Sequence, residues 1–114
     1  MTRISTDAPV VTLVNVFTVR PEHQQELVEV LVEATDKVMR KLPGYVSANI
    51  HRSLDGTRVV NYAQWASEAA FQAMLRNPAV WPHMEAATRL GAADPVLYEV
   101  VHCDEQAALT ASAA

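Results

Sequence analysis

The sequence predicts an α+β domain, a four-stranded antiparallel sheet with helices on one face only. Three observations predict it. The spacing of apolar residues switches from every second residue to about every 3.6 and back along the chain, so strands and helices alternate. Asp55-Gly56 stands between two β-branched runs and signals a tight antiparallel hairpin. Pro21, Pro43-Gly44, Ser67 and Gly91 fall where the period changes, as helix starts and stops should.

Residues 1–9 are polar, end in Pro9 and read as a flexible arm. Val10 to Val19 is rich in β-branched residues and reads as a strand. Val11, Leu13, Asn15, Phe17 and Val19 share one of its faces; Thr12, Val14, Val16 and Thr18 share the other. Arg20-Pro21-Glu22 opens a helix, since proline suits a first turn whose N–H groups have no partner anyway. Leu27, Leu31, Ala34, Val38 and Leu42 give that helix a buried stripe as far as Pro43-Gly44. A second strand runs from Tyr45 to Ser53 and a third from Arg58 to Trp65. Ser67 is a good N-cap for a second helical region with Phe71, Met74 and Leu75 facing inward. Asn77-Pro78 interrupts that region, and a further helical piece extends from about Ala79 to Leu90. After Asp94-Pro95 a last strand is expected from Val96 to His102, followed by an alanine-rich flexible tail, residues 105–114.

The order β-α-β-β-α-β is the ferredoxin-like split βαβ arrangement, one domain over residues 10–104. Helices on one side leave the other sheet face bare. A largely apolar bare face does not stay in water, so the valines of the first strand predict a homodimer with sheets face to face.

Composition narrows the function. A chain of 114 residues holds one sizeable core. The net charge of −4, with basic residues scattered, lacks the concentrated positive field that nucleic acid requires. No apolar run reaches the ~18 residues of a membrane helix, and MTRISTDAPV has no apolar signal region, so a cytoplasmic protein is expected. Cys103 has no second thiol for a disulfide or for a usual zinc site. The histidines lack metal-ligand spacing, and His102 and Cys103, adjacent on a strand, point to opposite faces.

Chemistry is concentrated on Val59–Trp65. Asn61 and Trp65 lie on one side of that strand, roughly 13 Å apart, with only Ala63 between them. Asn15 interrupts the apolar row of the first strand, flanked by Leu13 and Phe17. A buried carboxamide without a partner costs about 1–3 kcal/mol. Either these groups bond to backbone or to each other, or they await a polar ligand between sheet and helices.

Val19-Arg20-Pro21-Glu22-His23, Leu42-Pro43-Gly44-Tyr45 and Trp65-Ala66-Ser67-Glu68-Ala69-Ala70-Phe71 frame these elements. With them the stretch from Val10 to Cys103 resembles the antibiotic biosynthesis monooxygenase family of the dimeric α/β-barrel superfamily. The trio Asn15, Asn61 and Trp65 is similar to that of the cofactor-free anthrone oxygenases of aromatic polyketide pathways. The resemblance implies oxidation of a polycyclic phenol or anthrone to a quinone by O2, without metal or flavin. It assigns catalytic positions to Asn15, Asn61 and Trp65, and His51 matches a histidine of some members. Phe71 stands near where some members carry a tyrosine. Phe17, Ala63, Phe71, Met74, Trp81 and His83 are the residues expected around the aromatic substrate. Two rival functions share this fold: a haem-degrading monooxygenase, whose pattern Asn15 and His83 fit but whose helical tryptophan is absent, and a small-molecule-binding or stress-response dimer.

Overall fold

A computed structural model describes residues 1–106. Its elements are β1 (Val11–Val19), α1 (Gln24–Lys37), β2 (Tyr45–Arg52), β3 (Arg58–Trp65), α2 (Glu68–Leu75), α3 (Trp81–Leu90) and β4 (Gly91–Tyr98). The sheet order is β2-β3-β1-β4, with every neighbouring pair antiparallel. This is the expected α+β ferredoxin-like arrangement, a four-stranded sheet with its helices on one side.

Local chemistry explains the joints. The Ser67 hydroxyl caps α2 by accepting from the Ala70 N–H at 3.0 Å. In the β2–β3 hairpin the Asp55 carboxylate accepts from the Thr57 hydroxyl at 2.7 Å, the Ser53 hydroxyl at 2.8 Å and the Thr57 N–H at 3.0 Å. Those bonds hold the Asp55 pKa down at about 2. Gly44 takes φ +84°, and a side chain there would collide with Ala70 of α2.

Two elements are bounded differently from the sequence-based expectation. The first helix begins with a 3-10 turn at Pro21–His23, and its α-helical part ends at Lys37 rather than reaching Leu42. Val38 leaves helical geometry, and a second 3-10 turn, Met39–Lys41, follows. Val38, Met39 and Leu42, around this tighter turn, all pack on one apolar cluster. The last strand runs from Gly91 to Tyr98 rather than from Val96 to His102, because α3 passes directly into it. A Cβ on Gly91 would lie 2.9 Å from the Thr18 carbonyl and 3.2 Å from Leu27 Cδ2, so only glycine fits that crossing. Pro95 is tolerated inside β4 because the strand is at the sheet edge.

The core between sheet and helices has two parts. Leu13, Ala63, Trp65, Phe71, Met74 and Val80 form one cluster. Phe17, Val19, Leu27, Val59 and Ala87 form the other. Leu27, Val59 and Val80 have no exposed surface at all, each a burial that stabilises by about 1.5–3 kcal/mol.

The face away from the helices carries Thr12, Val14, Val16, Val60, Tyr62, Val96 and Tyr98, the last 52% exposed. One end of it is covered by the N-terminal arm. Gln64 donates to the Arg3 carbonyl at 2.8 Å, and the Thr2 hydroxyl donates to Asn49 at 2.8 Å. Among the described residues no helix is long and apolar enough to cross a membrane. The expected tail, residues 105–114, lies outside the described residues from 107 onward.

Candidate active site

The gap between the two core clusters is a row of the sheet. Asn15 of β1 and Asn61 of β3 are direct cross-strand partners, flanked by Pro95 on β4 and Ile50 on β2. Partners in an antiparallel pair point to the same face. Both carboxamides therefore enter the helical side, where Leu13 and Ala63 stand on one flank and Phe17 and Val59 on the other.

Above this row lies a cavity of about 130 Å³. Its floor includes Asn15, Asn61, Ala63 and Ala48; α1, α2 and α3 roof it with Leu31, Phe71, Met74 and His83 among others. The alanines leave room that larger aliphatic side chains would fill. Trp65 closes one end.

Oδ1 of Asn15, Oδ1 of Asn61 and Nε1 of Trp65 are buried and have no hydrogen-bond partner among the described residues. Each such group lowers stability by about 1–3 kcal/mol, and native cores satisfy nearly all of theirs. Three converging on one hollow make it a place built for a polar, flat ligand. The carboxamides offer acceptors and donors together, and the indole adds a donor.

Tyr45 stands opposite Trp65, its ring perpendicular to the indole at 88° with centroids 5.8 Å apart. A β-bulge between Tyr45 and Ser47 places it there. Strict alternation would put Val46 against Trp65 and turn Tyr45 to the other face; instead Val46 is 47% exposed. Tyr45 is a cavity residue that sequence periodicity missed, since nothing in the sequence marks the bulge. Burial pushes its phenol pKa up, partly opposed by the charge of Arg40.

Of the residues expected at the site, Asn15, Asn61, Trp65, Phe17, Ala63, Phe71, Met74 and His83 all line the cavity. Two expected residues do not. His51 pairs with Val60, so it points to the face opposite Asn61 and is exposed. Trp81 is 54% exposed, and its indole N–H donates to the Leu75 carbonyl at 3.1 Å, tying the start of α3 to the end of α2. Among the described residues no three His, Cys, Asp or Glu side chains converge as a metal-binding group.

The fold and the cavity together define an α+β ferredoxin-like protein with a buried site for a flat, polar ligand. Residues 10–89 match the antibiotic biosynthesis monooxygenase family, and the chain belongs to it. It is 47% identical over 102 residues to the tetracenomycin-F1 monooxygenase of Streptomyces glaucescens, covering 90% of this chain and 91% of that one. The structure of ActVA-Orf6 of Streptomyces coelicolor, a monooxygenase solved in complex with nanaomycin D, superposes with a TM-score of 0.76. That pair is 33% identical, covering 88% of this chain and 94% of the other. SnoaB of Streptomyces nogalater, a cofactor-independent oxygenase, gives a TM-score of 0.73 at 28% identity, covering 84% and 97%. The chain is a monooxygenase of this cofactor-independent kind.

Proposed function

We propose that the protein oxidises a polycyclic phenol or anthrone of an aromatic polyketide pathway to its quinone, using O2 as co-substrate. The observation that carries this reading is the unpartnered trio of Asn15, Asn61 and Trp65 around one apolar hollow. A ring bearing a hydroxyl beside a carbonyl matches it: the hydroxyl donates to a carboxamide oxygen, and the carbonyl accepts from a carboxamide N–H. The name of the tetracenomycin-F1 monooxygenase points to the same substrate class.

Removal of one proton leaves an anion, which gives one electron to O2. The resulting superoxide and carbon radical join through a new C–O bond. The peroxide takes up a proton, the carbon loses its remaining hydrogen as a proton, and the O–O bond breaks to leave a carbonyl and water. Neutral donors in a dry site stabilise the anion before and during electron transfer. Asn15 and Asn61 act at the ring oxygen, and Trp65 donates to that oxygen or to the peroxide. The alkyl and aromatic walls exclude water that would otherwise quench the anion.

The valine-rich outer face supports a homodimer formed sheet to sheet, and the catalytic domain is read as residues 10–104. A cytoplasmic location accords with a soluble biosynthetic enzyme. Oxygen uptake with metal-stripped protein and an anthrone such as dithranol tests the reaction. Consumption of one O2 per quinone formed is expected; no uptake above the spontaneous rate would refute it.

A further inference from the structure

We propose that His83 is the proton acceptor of the reaction, an inference that rests on the reading above. Proton removal starts the chemistry, and a carboxamide is no Brønsted base. Among the described residues, only two side chains lining the cavity carry an ionisable group, Tyr45 and His83. Partial burial pushes the pKa of the Tyr45 phenol up, further from neutrality, so it keeps its proton. His51, the other histidine expected at the site, faces the opposite side of the sheet. That leaves one imidazole on the wall of the cavity.

Its position is fixed by the fold. His83 is in the first turn of α3, with its backbone N–H bonded to the Val80 carbonyl at 3.1 Å, and Val80 is fully buried. The ring is partly buried and faces the hollow across from the carboxamide row. The charged groups around it are few. From α1 the facing carboxylate is Glu33, which is held in a 2.7 Å ion pair with Lys37 and senses the charge on His83. Along α3 itself, Glu85 and Arg89 pair with each other. The cavity residues of α2 are not titratable, and the sheet contributes only Tyr45. Among the described residues no carboxylate lines the cavity to compete for the role.

In the first step a substrate O–H or activated C–H bond breaks. The proton goes to a ring nitrogen of neutral His83, and the electron pair stays on the substrate. The imidazolium then returns that proton to the peroxide. It takes the second carbon-bound proton as the O–O bond breaks and passes it to the departing hydroxide, which leaves as water. His83 ends neutral and the reaction needs no further oxidant.

The test compares wild type with His83→Gln and His83→Ala, using dithranol and O2 uptake from pH 5 to 9. Dithranol binding is measured separately by anaerobic equilibrium dialysis. The expected result is a fall in kcat of about 10²–10⁴-fold, binding within about twofold of wild type, and loss of the acid limb of the pH profile. Added imidazole should restore part of the activity of His83→Ala. If His83→Gln matches wild type in kcat and in pH profile while wild type remains active, this inference falls and the oxygenase reading stands. A wild type that consumes no O2 with such phenols overturns both.

Discussion

The rings of Tyr45 and Trp65 stand at right angles across the β2–β3 pair, 5.8 Å between centroids, at the one place where β2 carries an extra residue. The contact fixes the plane of the indole and hence where its N–H points. Perpendicular aromatic pairs contribute about 0.5–1.5 kcal/mol beyond their buried area. Tyr45→Leu is expected to lose about that much in urea unfolding and to lower kcat. Tyr45→Phe should keep both. If Tyr45→Leu retains full kcat, the tyrosine is packing alone.

Asn61 is predicted to separate activity from stability. Its Oδ1 is buried and unpartnered, so Asn61→Ala removes a group that the empty protein gains nothing from. The urea midpoint should hold or rise, while kcat falls about 10²–10³-fold, the usual loss on deleting one oxyanion donor. Asn15→Ala should behave alike. Because the two are cross-strand neighbours, the double variant is expected to lose less than the product of the single losses.

Acid stability should report the hairpin. The Asp55 pKa is depressed to about 2 in the folded chain from the ordinary 3.8 of a free aspartate. Its contribution to stability is therefore fully present above about pH 4 and disappears as pH falls through about 2. Urea midpoints measured between pH 7 and pH 2 should decline less steeply at the acid end for Asp55→Asn than for wild type. Equal slopes would show that the carboxylate bonds contribute nothing.

Association is predicted to run through the valine face. Val14, Val16 and Val60 are partly buried on the side away from the helices, beside the exposed Val96 and Tyr98. Val16→Asp puts a charge within that face, on the inner strand β1 between β3 and β4. Light scattering during gel filtration should show a dimer for wild type and a monomer for the variant. A wild-type monomer would remove the sheet-to-sheet arrangement.

Much of this was legible in the sequence, for physical reasons that can be named. Alternation along β1 put Asn15 on one face with Leu13 and Phe17, because the strand is regular from end to end. The Asp-Gly turn fixed β3, whose alternation put Asn61 and Trp65 on one face. Register is a tertiary property, and the pairing of Asn15 with Asn61 could not be read from either strand alone. The bulge at Val46 reverses the alternation of Tyr45, and the 3-10 turn after Lys37 brings Met39 to the cavity; neither leaves a periodic trace. His51 was misplaced because a family likeness carries a residue type without its facing, whereas its pairing with Val60 decides the facing. Trp81 was misplaced because an indole can be held by one backbone carbonyl at the surface as well as by a core.

The chain has two tryptophans, one sealed at the end of the cavity and one anchored outside by the Leu75 carbonyl. Their emission should differ in colour, blue for the dry indole and red for the wet one. Ligand arriving at the hollow would dim the first and spare the second. The ratio of the two bands would then read fractional occupancy directly, with no label attached, and would give a ready assay for ranking candidate substrates before any turnover is measured.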